Sequence, residues 1–378
     1  MLTVARDQAV IIKSVELRQV SMPLREPFVT SYGVENDKEF VLVYVETNEV
    51  VGVGECVALS APLYSAETYA TAWYMLTRFL IPAVLGKEVV HPSKTRELFA
   101  PFRGHRMAKA ALETAIWDAY AKTLSEPLFK LIGGQRTEIP VGISIGIQPT
   151  ISELLKKIES YLQQGYQRFK IKITPVSGYE VLYAIRREYP DISLMVDANS
   201  AYTLNDIPIL KELDDFNLMM IEQPLAYDDL LDHAKLQQVI RTPICLDESL
   251  NSLADVKKAL ELGACQIVNL KIGRVGGLSE AIDIEAICRQ HNIPLWCGGM
   301  LESGVGRMYN LAVSSLPGFI LPGDTGPSSR YFVEDIIDPP VEFIRPGYLS
   351  VPDSIGIGTS LRIESINKFT ETKAKYSM

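Results

Sequence analysis

The stretch FKIKIT, residues 169–174, sets Lys170 and Lys172 around one isoleucine in a run that otherwise reads as a β-strand. Side chains alternate faces along a strand, so both ammonium groups point the same way. Two readings compete at this level. Lysines on an edge strand block unwanted pairing, and a lysine can thread its stem past apolar neighbours to reach water. On the other reading the strand is interior and the two charges belong to a site. The flanking sequence bears on the choice.

Outward from this stretch a rhythm is visible. After LIGG at 131–134 come the short apolar runs VGISIGI (141–147), FKIKI (169–173), SLMVDAN (193–199), MMIEQP (219–224), PICLDES (243–249), IVNLKI (267–272), PLWCGGM (294–300) and FILPGD (319–324). Helical or partly helical segments separate them, such as ISELLKKIESYLQQG and the segment around 178–188. Strands alternating with helices mean parallel βαβ units, and eight units predict a closed barrel. The helix after FILPGD is the weak one, because DTGPSSRYFVEDI is a poor helix former. Ahead of the barrel, IIKSVELRQVSM and EFVLVYVETNEVVGVGEC alternate as strands, joined by a polar, flexible stretch around TSYGVENDK. Residues 66–87 and 105–124 carry helical periodicity. The text SIGIGTSLRIES in the tail reads as strand, and the tail is expected to return to the N-terminal part.

The 378-residue chain carries 37 basic and 46 acidic residues, a formal net charge of −9, with no dense Lys/Arg block. That argues against nucleic acid as a partner and leaves room for an anionic small molecule held by local positive charge. The 5 cysteines are an odd number and sit in apolar runs, so a disulfide scaffold is not expected and a reducing, cytoplasmic location is. The first twenty residues lack a signal-peptide layout, and no apolar run reaches transmembrane length, so no membrane partner is expected.

In such barrels the chemistry sits at the C-terminal ends of the strands. Lys170 and Lys172 end the second strand, Asp197 and Asn199 the third, Glu222 and Gln223 the fourth, Asp247 and Glu248 the fifth, Asn269 and Lys271 the sixth. Asp197, Glu222 and Asp247 follow one another at steps of 25 residues. Three carboxylates converging at one level repel and need neutralising. A hard divalent cation does this, and magnesium suits few carboxylates plus water and substrate. The competing reading is three unrelated acids capping helices. With the cation in place, Lys172 and Lys271 would face each other across the barrel mouth. A carboxylate on the metal acidifies its neighbouring C–H, and a neutral lysine can take the proton. Lys170, on the same face as Lys172, would depress its neighbour's pKa and steady developing oxyanion charge.

These motifs — KIK at 170–172, VDAN at 196–199, IEQP at 221–224, LDES at 246–249 and NLKIGRVGG at 269–277 — resemble the enolase superfamily, and best its muconate-cycloisomerase-like subgroup. The resemblance spans nearly the whole chain. It implies an α/β fold: a modified TIM barrel, (β/α)7β, at 131–325, an α+β capping domain at 1–130, and a C-terminal segment at 326–378 that packs back on both. It implies magnesium on Asp197, Glu222 and Asp247, with manganese able to substitute, and Lys172 with Lys271 as the acid/base pair. None of the 4 histidines lies within the seventh run, which sets aside the subgroups that use a histidine there. Dipeptide epimerases usually carry paired aspartates after the eighth strand, where this chain has GDTG with Asp324 and Gly326.

PFVTSYG (27–33), WCGGMLESGVGR (296–307) and SSRYFVEDI (328–336) resemble the branch of o-succinylbenzoate synthases and N-acylamino acid or N-succinylamino acid racemases. The branch implies a carbon–oxygen lyase of menaquinone biosynthesis acting on a small carboxylate, with racemisation as the alternative. It also implies a homo-oligomer. It places a substrate contact at Ser144 and includes Glu302 after the seventh strand. Asn199 and Glu248 stand beside metal ligands, where they would orient them. Gly298, Gly299 and Met300 offer close backbone approach or simply a strand-to-loop turn. Tyr64 and Phe28, with Thr30, Ser31 and Gly33, resemble the substrate lid. Arg274 and the glycines at 276–277 read as a helix-opening turn and not as a nucleotide loop.

Overall fold

The structure is a computed structural model and describes residues 9–30 and 33–378; Ser31 and the side chains of Phe28, Thr30 and their neighbours through 35 lie outside the described residues. In the capping region a long hairpin, β1 (Ser14–Thr30) and β2 (Gly33–Glu46), is followed by β3 (Val51–Cys56). The stretch expected to be a flexible connector is strand from Gly33 onward, because β1 and β2 stay paired to Thr30 and Gly33. Alternation sets Val15 and Leu17 on one face and Val20 and Met22 on the other, and all four are buried.

Helix α1 (Arg106–Thr123) lies across β3. The approach is close because both partners are small. A Cβ on Gly52 would meet the Ala115 carbonyl at 2.1 Å, and one on Gly54 the Ala111 carbonyl at 2.2 Å. Nearly every residue of α1 is buried, since its other side faces the barrel. Glu113 of α1 accepts the backbone N–H groups of Leu278 and Ser279, at 2.7 and 3.0 Å. A capping-region carboxylate therefore caps a barrel helix, which favours a fixed docking angle.

The barrel strands follow in chain order: β4 (Gly142–Ile145), β5 (Arg168–Lys172), β6 (Leu194–Asp197), β7 (Ile221–Glu222), β8 (Ile244–Leu246), β9 (Ile267–Leu270) and β10 (Leu295–Cys297). They pair in that order as one seven-stranded parallel sheet, curled like a TIM barrel. Helices α2 (Ile151–Gln163), α3 (Gly178–Glu188), α4 (Leu253–Leu262), α5 (Leu278–Gln290) and α6 (Gly304–Ser314) alternate with them.

The eighth apolar run is a correction. FILPGD is not a regular strand, although it bridges the two edges of the sheet. Leu321 and Asp324 donate to the carbonyls of Leu295 and Cys297, while Gly323 accepts from Gly142. Pro322 lacks a donor, and the carbonyls of Phe319 and Pro322 are taken by Arg136 and Arg168. The weak helix after it is a single turn, Ser328–Arg330.

The tail strand is also displaced. SIGIGTSLRIES contributes only Ser360–Leu361, because Gly356 and Gly358 hold positive φ and turn the chain. The longer strand is β11 (Thr370–Ser377), which pairs antiparallel with β1. Among the described residues no helix is long and apolar enough to cross a membrane.

Candidate active site

Period-two alternation builds the site in layers. Met195, Met220, Cys245, Ile267 and Trp296 point into the barrel and form an apolar cluster of their own. Two residues further along β6, β7 and β9, and just past β8, the same faces carry Asp197, Glu222, Asn269 and Asp247. All four are at most 2% exposed. Register sets Lys172 opposite Asp197, and Asp197 opposite Glu222.

Lys170 Nζ lies 2.8 Å from Asp324, 3.1 Å from Glu222 and 3.7 Å from Asp197, with its charge 4.8 Å from the centre of the Trp296 ring. Lys172 Nζ donates to Asp197 at 2.6 Å and to the Asn199 side-chain oxygen. Lys271 Nζ donates to Asp247 at 2.8 Å and to the Tyr64 hydroxyl at 3.2 Å. The Tyr64 hydroxyl donates to Asp247 at 3.0 Å, so a capping-region side chain completes the wall around Lys271. Arg274 closes it from behind, bonded to Asp247 and to the Asn269 carbonyl. Asn199 and Gln223, just past the ends of β6 and β7, hold φ of 42° and 39°, and Leu301 in the loop after β10 holds 57°. Such strain persists where surrounding contacts over-determine the chain.

Lys170, Lys172, Lys271, Asp197 and Asp247 line one cavity of about 230 Å³. Ser144, Asn199, Gly299, Met300, Glu302 and Tyr64 line it too. Glu248 stands behind it, accepting from the Asn199 amide at 3.1 Å. Phe28, whose side chain lies outside the described residues, cannot be placed against it.

Burial opposes every charge here. For Lys170 the carboxylates of Asp324, Glu222 and Asp197 outweigh it and hold the ammonium well above the usual lysine range. Burial likewise opposes Lys271, but Asp247 above all raises it. Asp247 is pushed up by burial and then pulled down to about 2 by Lys271 and Arg274. Glu222 goes the other way, lifted to about 7 by burial and by Asp197 in spite of Lys170.

The matches to known proteins fit this layout. Residues 153–366 match the enolase C-terminal domain-like family, and residues 12–133 the N-terminal domain of mandelate racemase and muconate lactonizing enzyme. The chain belongs to the enolase superfamily. An o-succinylbenzoate synthase of Geobacillus kaustophilus is 52% identical over 96% of this chain and 97% of its own length. An N-succinylamino acid racemase of Thermus thermophilus is 46% identical over 95% and 97%. A crystal structure of an enolase superfamily member from Listeria innocua superposes with a TM-score of 0.95 at 41% identity, covering 97% of this chain and 99% of that one.

Membership in this superfamily points to a divalent metal. Among the described residues no group of three or more His, Cys, Asp or Glu side chains is clustered as a ready cage. Each of the three strand-end acids is instead turned to a cation: Asp197 to Lys172, Glu222 to Lys170, and Asp247 to Lys271 and Arg274. The donor set nevertheless suits a hard cation, being buried carboxylate oxygens on three successive strands. Two buried acceptors beside them, Glu248 Oε2 and Asn269 Oδ1, have no hydrogen-bond partner among the described residues. The residues present therefore fit such an ion.

Sequence reasoning gave no role to three residues of this cluster. Asp324 bridges Lys170 and Arg168 at 2.8 Å each. Arg274 was read only as part of a turn, yet its guanidinium holds Asp247. Asn269 donates to Glu222 at 2.8 Å. Asn269 was placed at the end of the sixth strand, two residues before Lys271, without a task; the other two depend on contacts between distant segments.

Proposed function

We propose that the protein is an o-succinylbenzoate synthase. It would remove water from 2-succinyl-6-hydroxy-2,4-cyclohexadiene-1-carboxylate to give 2-succinylbenzoate for menaquinone biosynthesis. The observation that carries this reading is the pair Lys172 and Lys271, delivered to one cavity from different strands, with the ammonium of Lys170 beside them. The Geobacillus kaustophilus relative named for this activity supports the choice of reaction.

The substrate carboxylate enters with its α-carbon between the two lysines. Lys172 Nζ takes the α-proton, and the C–H electrons become the new double bond. Lys170 lends positive charge to the carboxylate oxygens as negative charge grows on them. Asp197, Glu222 and Asp247 would hold a magnesium ion, which when bound supplies further positive charge at that carboxylate. Lys172 then returns its proton to the hydroxyl on the same face, and water leaves with the C–O electrons. Lys271 remains an ammonium on the opposite face. Tyr64, spanning Lys271 and Asp247, keeps that ammonium oriented and shields it from water.

A racemase reading uses the same residues. One lysine removes the α-proton of an N-succinylamino acid and the other returns a proton from the far side. The Thermus thermophilus relative favours keeping it. The test is kcat/KM on the cyclohexadiene carboxylate against a panel of N-succinylamino acids. Dehydration is expected to dominate, and robust racemisation with negligible dehydration defeats the first reading.

A further inference from the structure

The strand that carries Lys170 and Lys172 holds a third cation on the same face, two residues earlier and so one layer deeper in the barrel. This is Arg168, only 1% exposed. Room for it comes from β4. Gly142 is its register partner, and a Cβ there would collide with the guanidinium. The Trp296 ring serves both cations, with the charges of Arg168 and Lys170 each 4.8 Å from its centre. Arg168 Nη2 donates to the Pro322 carbonyl at 3.0 Å and to Asp324 Oδ1 at 2.8 Å. Asp324 Oδ2 in turn lies 2.8 Å from Lys170 Nζ. Arg168 Nη1 is buried without a hydrogen-bond partner among the described residues, a cost to stability.

One carboxylate thus joins two buried cations, one oxygen to each. Its backbone is fixed as well, since the Asp324 N–H donates to the Cys297 carbonyl at 2.9 Å. Asp324 also lines the cavity. Lys170 and Asp324 alone would form a neutral pair, and a substrate carboxylate arriving there would meet an anion as well as a cation. Arg168 gives the group of three a net positive charge, which a buried setting screens little. It also holds Oδ1, so that Oδ2 is the oxygen offered to Lys170. Without Arg168 both oxygens are free to close on the Lys170 ammonium and draw it toward the eighth apolar run. The other carboxylates near Lys170, Glu222 and Asp197, are the ones proposed to hold magnesium. Asp324 is then the neighbour left to set the place of the ammonium.

We propose that Arg168 is a positioning residue: through Asp324 it fixes where the Lys170 ammonium stands and leaves that charge available to the reacting carboxylate. This rests on the reading of Lys170 as the group that steadies that carboxylate during reaction.

The test measures kcat and KM for Arg168→Met, Asp324→Asn and the double variant, per folded protein, with a crystal structure of Arg168→Met alongside. The substrates are the cyclohexadiene carboxylate and N-succinylamino acids. Arg168→Met is expected to lower kcat by about ten- to a hundredfold, as a displaced group in a preorganised site does, and to change KM less than kcat. The double variant is expected to match Asp324→Asn, because a residue that acts through Asp324 has nothing further to lose there. In the crystal structure Asp324 Oδ1 turns away from its place beside Pro322 and Lys170 Nζ shifts by about 1 Å. Should Arg168→Met fold poorly, Arg168→Lys takes its place in every comparison. It keeps the charge and loses the planar guanidinium, and is expected to lose about two- to tenfold in kcat. A parental kcat in the folded Arg168 variant overturns the proposal. So do single losses that multiply in the double variant, which is what an independent structural role produces. Unmoved Asp324 and Lys170 in the variant crystal overturn it as well. A parent protein that turns over none of these substrates sinks the proposed reactions, and the variant crystal then still decides whether Arg168 sets the place of Lys170.

Discussion

The floor and the mouth of the barrel share strands, with Asp197, Glu222, Asp247 and Asn269 each two residues beyond a floor residue. The floor is Met195, Met220, Cys245, Ile267 and Trp296, all apolar or nearly so and nearly sealed from water. The mouth is Lys170, Asp197, Glu222, Asp247, Asn269 and Lys271, equally buried but charged or polar. Burial alone therefore does not separate the two levels; what is buried does. The floor gains free energy from desolvation. The mouth loses it and recovers part through ion pairs that a well-packed apolar core would not need. The proposed chemistry gives such a layer a purpose that stability does not.

The sharpest break between the levels is metal removal. Dialysis against a chelator should abolish turnover and leave the circular dichroism of the fold unchanged, with magnesium restoring activity. Full activity in metal-free protein, or unfolding on chelation, would merge two levels that the structure keeps apart.

Next come the lysines. Lys172→Ala and Lys271→Ala should each lower kcat by about 10²–10⁴ for both proposed reactions, the usual worth of a positioned acid or base or, for Lys271 in the dehydration, of a charge held against developing oxyanion charge. Each also leaves a carboxylate short of a partner, so their stability is measured alongside. Appreciable dehydration in Lys172→Ala would show that the base is assigned to the wrong residue.

The floor answers differently. Met220→Ala, two residues before Glu222 and only 1% exposed, should lower stability by about 2–5 kcal/mol through the cavity it leaves. Its kcat should stay within a few-fold of the parent at a temperature where both are folded. A large loss of kcat with little loss of stability would mean that the floor tunes the mouth directly.

These contrasts also mark what was legible in sequence. The alternation that puts Lys170 and Lys172 on one face, and the even spacing of Asp197, Glu222 and Asp247, come from local periodicity, which the folded chain keeps. Seven of the eight apolar runs are strands for the same reason. The eighth failed because arginines from elsewhere take the carbonyls a strand would have offered. Asp324 meets Arg168 across 156 residues and Arg274 meets the Tyr64 hydroxyl across 210, and no local pattern encodes such partners. Tyr64 was singled out through family resemblance, and its bond to Asp247 was not foreseen.

The smallest expected effect concerns Glu55, a charge that belongs to neither level. It lies at the end of β3 in the capping region and accepts from the backbone of Ser303 and Gly306 and from the Ser303 hydroxyl. It thus caps α6, directly after the cavity residue Glu302. Burial lifts its carboxyl to about 7, with Glu302 raising it further against the bonds from Ser303 and the charge of Lys38. A carboxyl whose pKa is raised on folding binds more protons when folded than when unfolded, between its ordinary value near 4.5 and about 7. Its contribution is therefore most favourable below pH 4.5 and is lost as pH rises to about 7. Glu55→Gln cannot titrate, so the stability of the parent relative to this variant should shrink across that window. Thermal midpoints of both proteins, taken at matched ionic strength from pH 4.5 to 8, provide the measurement. A difference that stays constant, or widens with rising pH, would show Glu55 to be ionised throughout and held by its N–H donors more strongly than burial opposes it.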